Sequence, residues 1–175
     1  MKETDGYSKK RHEIKQLFDQ KQVLTTKEVA EYLHVRPNAV LIHIQKRHLT
    51  PVYTKKLSEN RTFRLFSRKD IELFADYVQT KTHFQGYADY HTLIKEKNKD
   101  RNYIRDLLDT YVWSQHECIE YTGLSQIVFN RHVKKNRLPY LVRFNEFNSL
   151  RLFFSLDVKK FRIEYGQFRS FLDKK

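Results

Sequence analysis

Five residues in the second half of the chain, Ser125, Gln126, Asn130, Arg131 and Lys134, fall on the outward side of a stretch with helical periodicity. Their chemistry is hydrogen bonding, not bond making. An asparagine or glutamine amide offers a donor beside an acceptor and a guanidinium offers a planar fork, so each can meet the edge of a base with paired bonds. Lys135 adds one more cation next to them. The matching face in the first half carries Arg36, Asn38, Leu41, Ile42, Gln45 and Lys46. There Leu41 and Ile42 stand in the places of Asn130 and Arg131, which exchanges hydrogen bonds for the apolar contact that a thymine methyl accepts. A further group, Lys55, Lys56, Asn60, Arg61 and Arg64, with Arg143, Asn145, Asn148 and Arg151, lies in stretches that read as hairpins. Such residues can neutralise phosphates or enter a minor groove. Charged hairpin tips are often merely solvated, and only the repeat and net charge described below favour contact with an anion.

Other chemistry is poorly supplied. His116 and Cys118, or His43 and His48, could begin a metal site, but no second pair at suitable spacing accompanies them, so no metal is expected. Asp70 and Asp157 could be imagined as nuclease carboxylates, yet their positions at helix starts fit capping and the helix dipole. Four scattered glycines build no phosphate-cradling loop. No catalytic residue and no cofactor is assigned. Cys118 and Trp113 align with Val29 and Leu24 and are expected in a core.

The charge balance narrows the partners. Lys and Arg number 34 against 21 Asp and Glu, for a formal charge of +13 over 175 residues. A field of that sign attracts polyanions. Nucleic acid is favoured over an anionic membrane, because no run of 18 apolar residues exists and no signal-peptide order of basic, apolar and small residues is present. A single cysteine fits a reducing compartment, so the cytoplasm is the expected location. An apolar fraction of 39% suffices for compact cores, and most of the 14% aromatic residues are expected to fill them.

The elements that would position these residues occur twice. Leu24 to Val52, LTTKEVAEYLHVRPNAVLIHIQKRHLTPV, aligns without a gap on Trp113 to Leu141, WSQHECIEYTGLSQIVFNRHVKKNRLPYL, at an offset of 89. Glu28 falls on Glu117, Tyr32 on Tyr121, Val40 on Phe129, His43 on His132 and Ile44 on Val133. The match resumes where RLFSRKDIELF (Arg64 to Phe74) meets RLFFSLDVKKF (Arg151 to Phe161) at an offset of 87. Self-similarity of this kind marks modular architecture. Each copy is preceded by an amphipathic stretch, Ile14, Leu17, Phe18 and then Ile104, Leu107, Leu108.

Within a copy the pattern predicts helix, tight turn, helix, extended hairpin, helix. Thr25 or Thr26 caps the first helix with Glu28 in its first turn, and Ser114 with Glu117 forms an S-x-x-E capping box. The turn His34-Val35-Arg36-Pro37 becomes Gly123-Leu124-Ser125-Gln126 in the second copy. Gly accepts a left-handed conformation there, and Pro suits the first turn of the next helix. Val40 and Ile44 at i,i+4 spacing point inward, leaving the polar and basic face outward.

These residues resemble the small winged helix-turn-helix domains of phage excisionases and the DNA-binding domains of MerR-type regulators. In that group a stretch similar to LTTKEVAEYLHVRPNAV leads to a helix, an L-P-like exit, a hairpin wing and a strand entering a helix as R-x-Y/F-S-x-x-D. Arg64-Leu65-Phe66-Ser67-Arg68-Lys69-Asp70 matches it well and Arg151 to Asp157 more loosely, while Leu138-Pro139 is closer to the exit than Leu49-Thr50-Pro51. The resemblance implies that each second helix enters a major groove, in successive grooves, and that each wing lies on the backbone. The fold class expected is therefore mainly α with small β-hairpin wings, as two tandem winged helix-turn-helix units joined by a helical connector. The divisions expected are a flexible basic arm at 1–11, a first unit at 12–77, a connector, helical, at 78–101, and a second unit at 102–175.

The function expected is sequence-specific binding of double-stranded DNA by a non-enzymatic transcriptional regulator or repressor. The alternative is an excisionase-like, segregation or replication accessory protein that bends or coats DNA. An initiator nuclease lacks a catalytic constellation, and recognition helices do not fit the deep major groove of structured RNA. No ligand pocket or long coiled coil is appended, so no small-molecule effector is expected, and a homo-oligomer on DNA is left open.

Overall fold

In the computed structural model, residues 2–80, 88–145 and 149–172 are described. The elements in chain order are α1 (Lys2–Asp19), β1 (Val23–Thr25), α2 (Thr26–Tyr32), α3 (Pro37–Gln45), β2 (Tyr53–Ser58), β3 (Arg61–Ser67), α4 (Arg68–Thr80), α5 (Ala88–Lys97), α6 (Asp100–Tyr111), β4 (Val112–Ser114), α7 (Gln115–Thr122), α8 (Gln126–Lys134), β5 (Val142–Phe144), β6 (Leu150–Phe154) and α9 (Ser155–Leu172). The chain is mainly helical with two small antiparallel sheets of three strands each, ordered β1-β3-β2 and β4-β6-β5. The repeat is visible in the pairing itself, since Leu24 faces Phe66 and Trp113 faces Phe153.

Capping starts α2 and α7 where the sequence places it. Thr25 Oγ1 accepts from the Glu28 N–H at 3.3 Å, and the Glu28 carboxylate accepts from the Thr25 N–H at 2.8 Å. Ser114 and Glu117 repeat the exchange at 3.4 and 2.8 Å. These two reciprocal boxes satisfy N–H groups that the first turn of a helix leaves without partners. Burial acts to raise the Glu28 carboxyl, but the bonds from Lys21 and Thr25 outweigh it and hold the group below its ordinary value.

Turns repeat as well. Gly123 takes φ 67°, and His34, at the same place in the first copy, takes φ 55°. Pro37 opens α3. After the second helix of each copy the chain reverses through Arg47 at φ 59° and Asn136 at φ 54°. His48 N–H then bonds His43 C=O at 2.8 Å and Arg137 N–H bonds His132 C=O at 3.0 Å. A Cβ at Gly123 meets nothing within 4 Å, so only backbone strain opposes a larger residue there. Gly123→Ala is expected to destabilise the fold by about 1–2 kcal/mol. His34→Gly is expected to stabilise it by less, because glycine's freedom in the unfolded chain offsets part of the relief. Chemical denaturation reads both, and equal signs for the two substitutions would refute the strain argument.

The chain forms two compact units, one of Gln16–Leu108 and one of Met1–Lys15 with Asp109–Lys175. In the first, Leu24, Val29, Ala30, Val40, Leu49, Phe66, Ile71 and Phe74 form the core. In the second it is Cys118, Phe129, Val133, Leu138, Phe153, Val158 and Phe161, with Trp113 half-buried at its edge. Cys118 is fully buried and its thiol is pushed up by that burial. The inward positions of the repeat thus reappear as two cores built on one plan.

Two expectations are corrected. Of the arm expected at 1–11, residues 2–11 are helical: α1 begins at Lys2, and Tyr7 Oη and Arg11 Nε (2.9 Å) both donate to Asp157 at the start of α9. That pairing, with Tyr7 edge-on to Phe154 at 5.4 Å, orders a segment whose local sequence is polar. Nor does the stretch 78–101 act as a connector only. Its described part comprises the end of α4, α5 and the start of α6, and residues 81–87 lie outside the described residues. Asn98 Nδ2 and Arg101 Nε both donate to Asp70 at 2.7 Å, and Arg101 Nη2 reaches the Thr50 carbonyl at 2.9 Å. Asp70 and Asp157 stand in the first turns of α4 and α9, as expected, but each is held by tertiary donors as well as by the helix dipole. Burial raises the Asp70 carboxyl and outweighs the lowering by Asn98 and Arg101.

Candidate nucleic-acid interface

In the unit containing 109–175, α8 is positioned by its inner face, where Phe129, His132 and Val133 are buried. Gln126, Ile127, Arg131 and Lys134 are then left exposed and Asn130 half-buried, with Lys135 exposed just past the helix. Ser125 is the N-cap, its Oγ accepting from the Val128 N–H at 3.4 Å, so it organises the helix as well as standing at its exposed end. The adjoining hairpin is β5 with β6, in which Arg143 stands directly opposite Arg151. Residues opposite each other in an antiparallel pair share a face, and like charges so placed destabilise the sheet. Two bonds hold them: Arg143 Nη2 donates to Ser149 Oγ at 2.9 Å, and Arg151 Nη1 to Asn130 Oδ1 at 3.2 Å. The second of these joins the hairpin to α8. Asn145 is exposed beyond β5, and Asn148 lies outside the described residues.

The unit of 16–108 presents a different face. Arg36 is the N-cap of α3 but makes no capping bond with its side chain. Asn38, Gln45 and Lys46 are exposed, Ile42 is 48% exposed and Leu41 is half-buried. In the hairpin of β2 and β3, Thr54 faces Arg64, Lys55 faces Phe63 and Lys56 faces Thr62. Alternation therefore separates two lysines that are neighbours in sequence. Lys56 shares its face with Arg64, whereas Lys55 shares that of buried Phe63 and places Nζ 5.4 Å from the centroid of the Tyr53 ring. Asn60 and Arg61 are exposed around the hairpin turn, and Arg64 Nη1 reaches the Thr62 carbonyl, at 3.5 Å.

Two features of these surfaces escaped the sequence reading. Ile127, aligned with Asn38, is 74% exposed on the first turn of α8. Its phase, two residues before Phe129, was a legible signal. The Arg151 to Asn130 bond gave no local signal, because 21 residues separate its partners.

The aligned histidines differ in their surroundings. His43 packs edge-on against Phe74 at 5.1 Å and His132 against Phe161 at 4.9 Å. His43 Nδ1 meets His48 Nδ1 at 3.2 Å, but Arg137 stands in the place of His48, and among the described residues His132 Nδ1 is buried with no hydrogen-bond partner. Burial, with Lys46, lowers the pKa of His43; burial, with Arg137, Lys135 and Arg131, lowers that of His132. Among the described residues, no three His, Cys, Asp or Glu come together as a metal site. Among them also, no helix is long and apolar enough to cross a membrane. No family model, curated protein or solved structure matches the chain.

Proposed function

We propose that the protein binds double-stranded DNA sequence-specifically, as a non-enzymatic transcriptional regulator of the repressor kind, through two winged helix-turn-helix units. Under this reading α3 and α8 are recognition helices lying in major grooves, and the β2–β3 and β5–β6 hairpins are wings on the backbone. The observation that carries it is the surface where α8 displays Gln126, Arg131 and Lys134 beside a hairpin that holds Arg143 opposite Arg151. Cations gathered on one exposed face repel one another in the protein alone, whereas a polyanion laid against that face turns the repulsion into attraction. The net charge of +13 supports the same partner.

Selection of bound fragments from a random duplex pool tests the reading, and recovery of no preferred sequence would sink it. Within a selected site, Arg131→Ala is expected to cost about 1–3 kcal/mol and to relax the preference at one base pair. Ile42→Ala, at the equivalent place in α3, is expected to cost less. The reverse order in a titration would show that α3, not α8, is the main reader.

The poverty of hydrogen-bonding groups on α3, where Leu41 and Ile42 replace Asn130 and Arg131, also favours a second reading, an excisionase-like, segregation or replication accessory protein that bends or coats DNA. A selected site that bends on binding, measured by the mobility of circularly permuted fragments, favours that reading over a repressor.

A further inference from the structure

Arg151 was grouped by sequence with the residues that face phosphates, but its guanidinium is engaged elsewhere. It projects from β6 and donates to Asn130 Oδ1 on α8. In the other unit the aligned pair is Arg64 and Leu41, and since a leucine offers no acceptor, Arg64 turns to a backbone carbonyl. One copy therefore carries a tie between wing strand and recognition helix that the other copy cannot form.

The bond fixes how Asn130 is presented. A free asparagine reads adenine by turning carbonyl and amide together to the base edge, accepting from N6 and donating to N7. With one Oδ1 lone pair taken and the carbonyl turned toward Arg151, Asn130 offers chiefly its two Nδ2 hydrogens, and the Arg151 guanidinium beside it carries donors only. Adenine's N6 amino group would meet two donor groups there and an acceptor already shared with Arg151. Guanine presents two acceptors, N7 and O6, in the same place. We infer that Arg151 is a positioning residue that holds Asn130 as a donor and so makes this position of the site select guanine over adenine. This deepens the DNA-binding reading and rests on it.

The test uses the full chain and a random duplex pool. Selection is made with the wild type, Asn130→Ala, Arg151→Ala and Arg151→Lys. The position read by Asn130 is the one whose preference disappears in Asn130→Ala. The wild type is expected to favour guanine over adenine there by roughly five- to 150-fold. Arg151→Ala is expected to remove that preference or move it to adenine, while the other positions keep theirs. Arg151→Lys, whose ammonium still donates to Oδ1, is expected to retain guanine. A merely structural role for Arg151 would lower affinity for all sequences alike, with the guanine preference unchanged in Arg151→Ala; that result overturns the inference. A wild-type preference for adenine at this position also overturns it while leaving the DNA-binding reading in place. Failure of the wild type to select any sequence overturns both.

Discussion

Raising salt from 50 to 200 mM is expected to weaken binding of the protein to a selected duplex by roughly a thousandfold or more. The cause is release of counterions condensed on DNA, which each neutralised phosphate liberates. Lys56, Arg61, Arg131, Lys134, Lys135 and Arg143 are exposed on the two candidate surfaces, enough for about six phosphates. A plot of log affinity against log salt should then fall with a slope of about −5 or steeper. Fluorescence anisotropy of a labelled duplex measures it. A slope shallower than about −2 would show that the cations of the two surfaces do not meet phosphates together, and an affinity for heparin equal to that for the selected duplex at every salt would sink the specific reading.

Asp70→Ala is expected to cost the protein about 3–5 kcal/mol of stability, because it removes a buried carboxylate that accepts from both Arg101 and Asn98. The carboxylate is 4% exposed and its Arg101 partner 15% exposed, and Asn98 Nδ2 bonds the same carboxylate. Against a typical stability of about 5–15 kcal/mol, that loss is a large part of the whole. Asp157→Ala is expected to cost less, since its side chain is 10% exposed and that of its Arg11 partner 30%. Glu59→Ala, at the exposed hairpin turn, should stay within about 0.5 kcal/mol. Urea denaturation followed by circular dichroism gives all three. Equal losses for Asp70→Ala and Glu59→Ala would show that the buried bonds contribute nothing.

How legible these features were depended on how far apart the participating residues lie. Caps, tight turns and inward positions involve partners within a few residues, so Thr25 with Glu28, Ser114 with Glu117, Gly123 and Val40 could all be read from spacing. The repeat doubled that signal, but the left-handed conformation that Gly123 announces recurs at His34, which carries no glycine to announce it. What could not be read were bonds closed over long separations. The segment 1–11 is polar by composition, and its helix is anchored by Asp157, 146 residues beyond Arg11. Asn98 and Arg101 likewise looked like a charged connector until Asp70 claimed them. At the candidate interface the residue types were legible, but their grouping was not: strand alternation parted Lys55 from Lys56, and a bond across the unit drew Arg151 toward Asn130.

The bonds from Tyr7 and Arg11 to Asp157 also set a timetable for biosynthesis. During translation the residues of 16–108 can close their own core before the later repeat exists, whereas Arg11 waits for a carboxylate 146 residues downstream. At roughly 5–20 residues per second, that wait is on the order of ten seconds. In the later part of that interval the residues of the second core emerge one after another until Val158 and Phe161 complete it, and the unfinished core is open to chaperones, proteases and other copies of the chain.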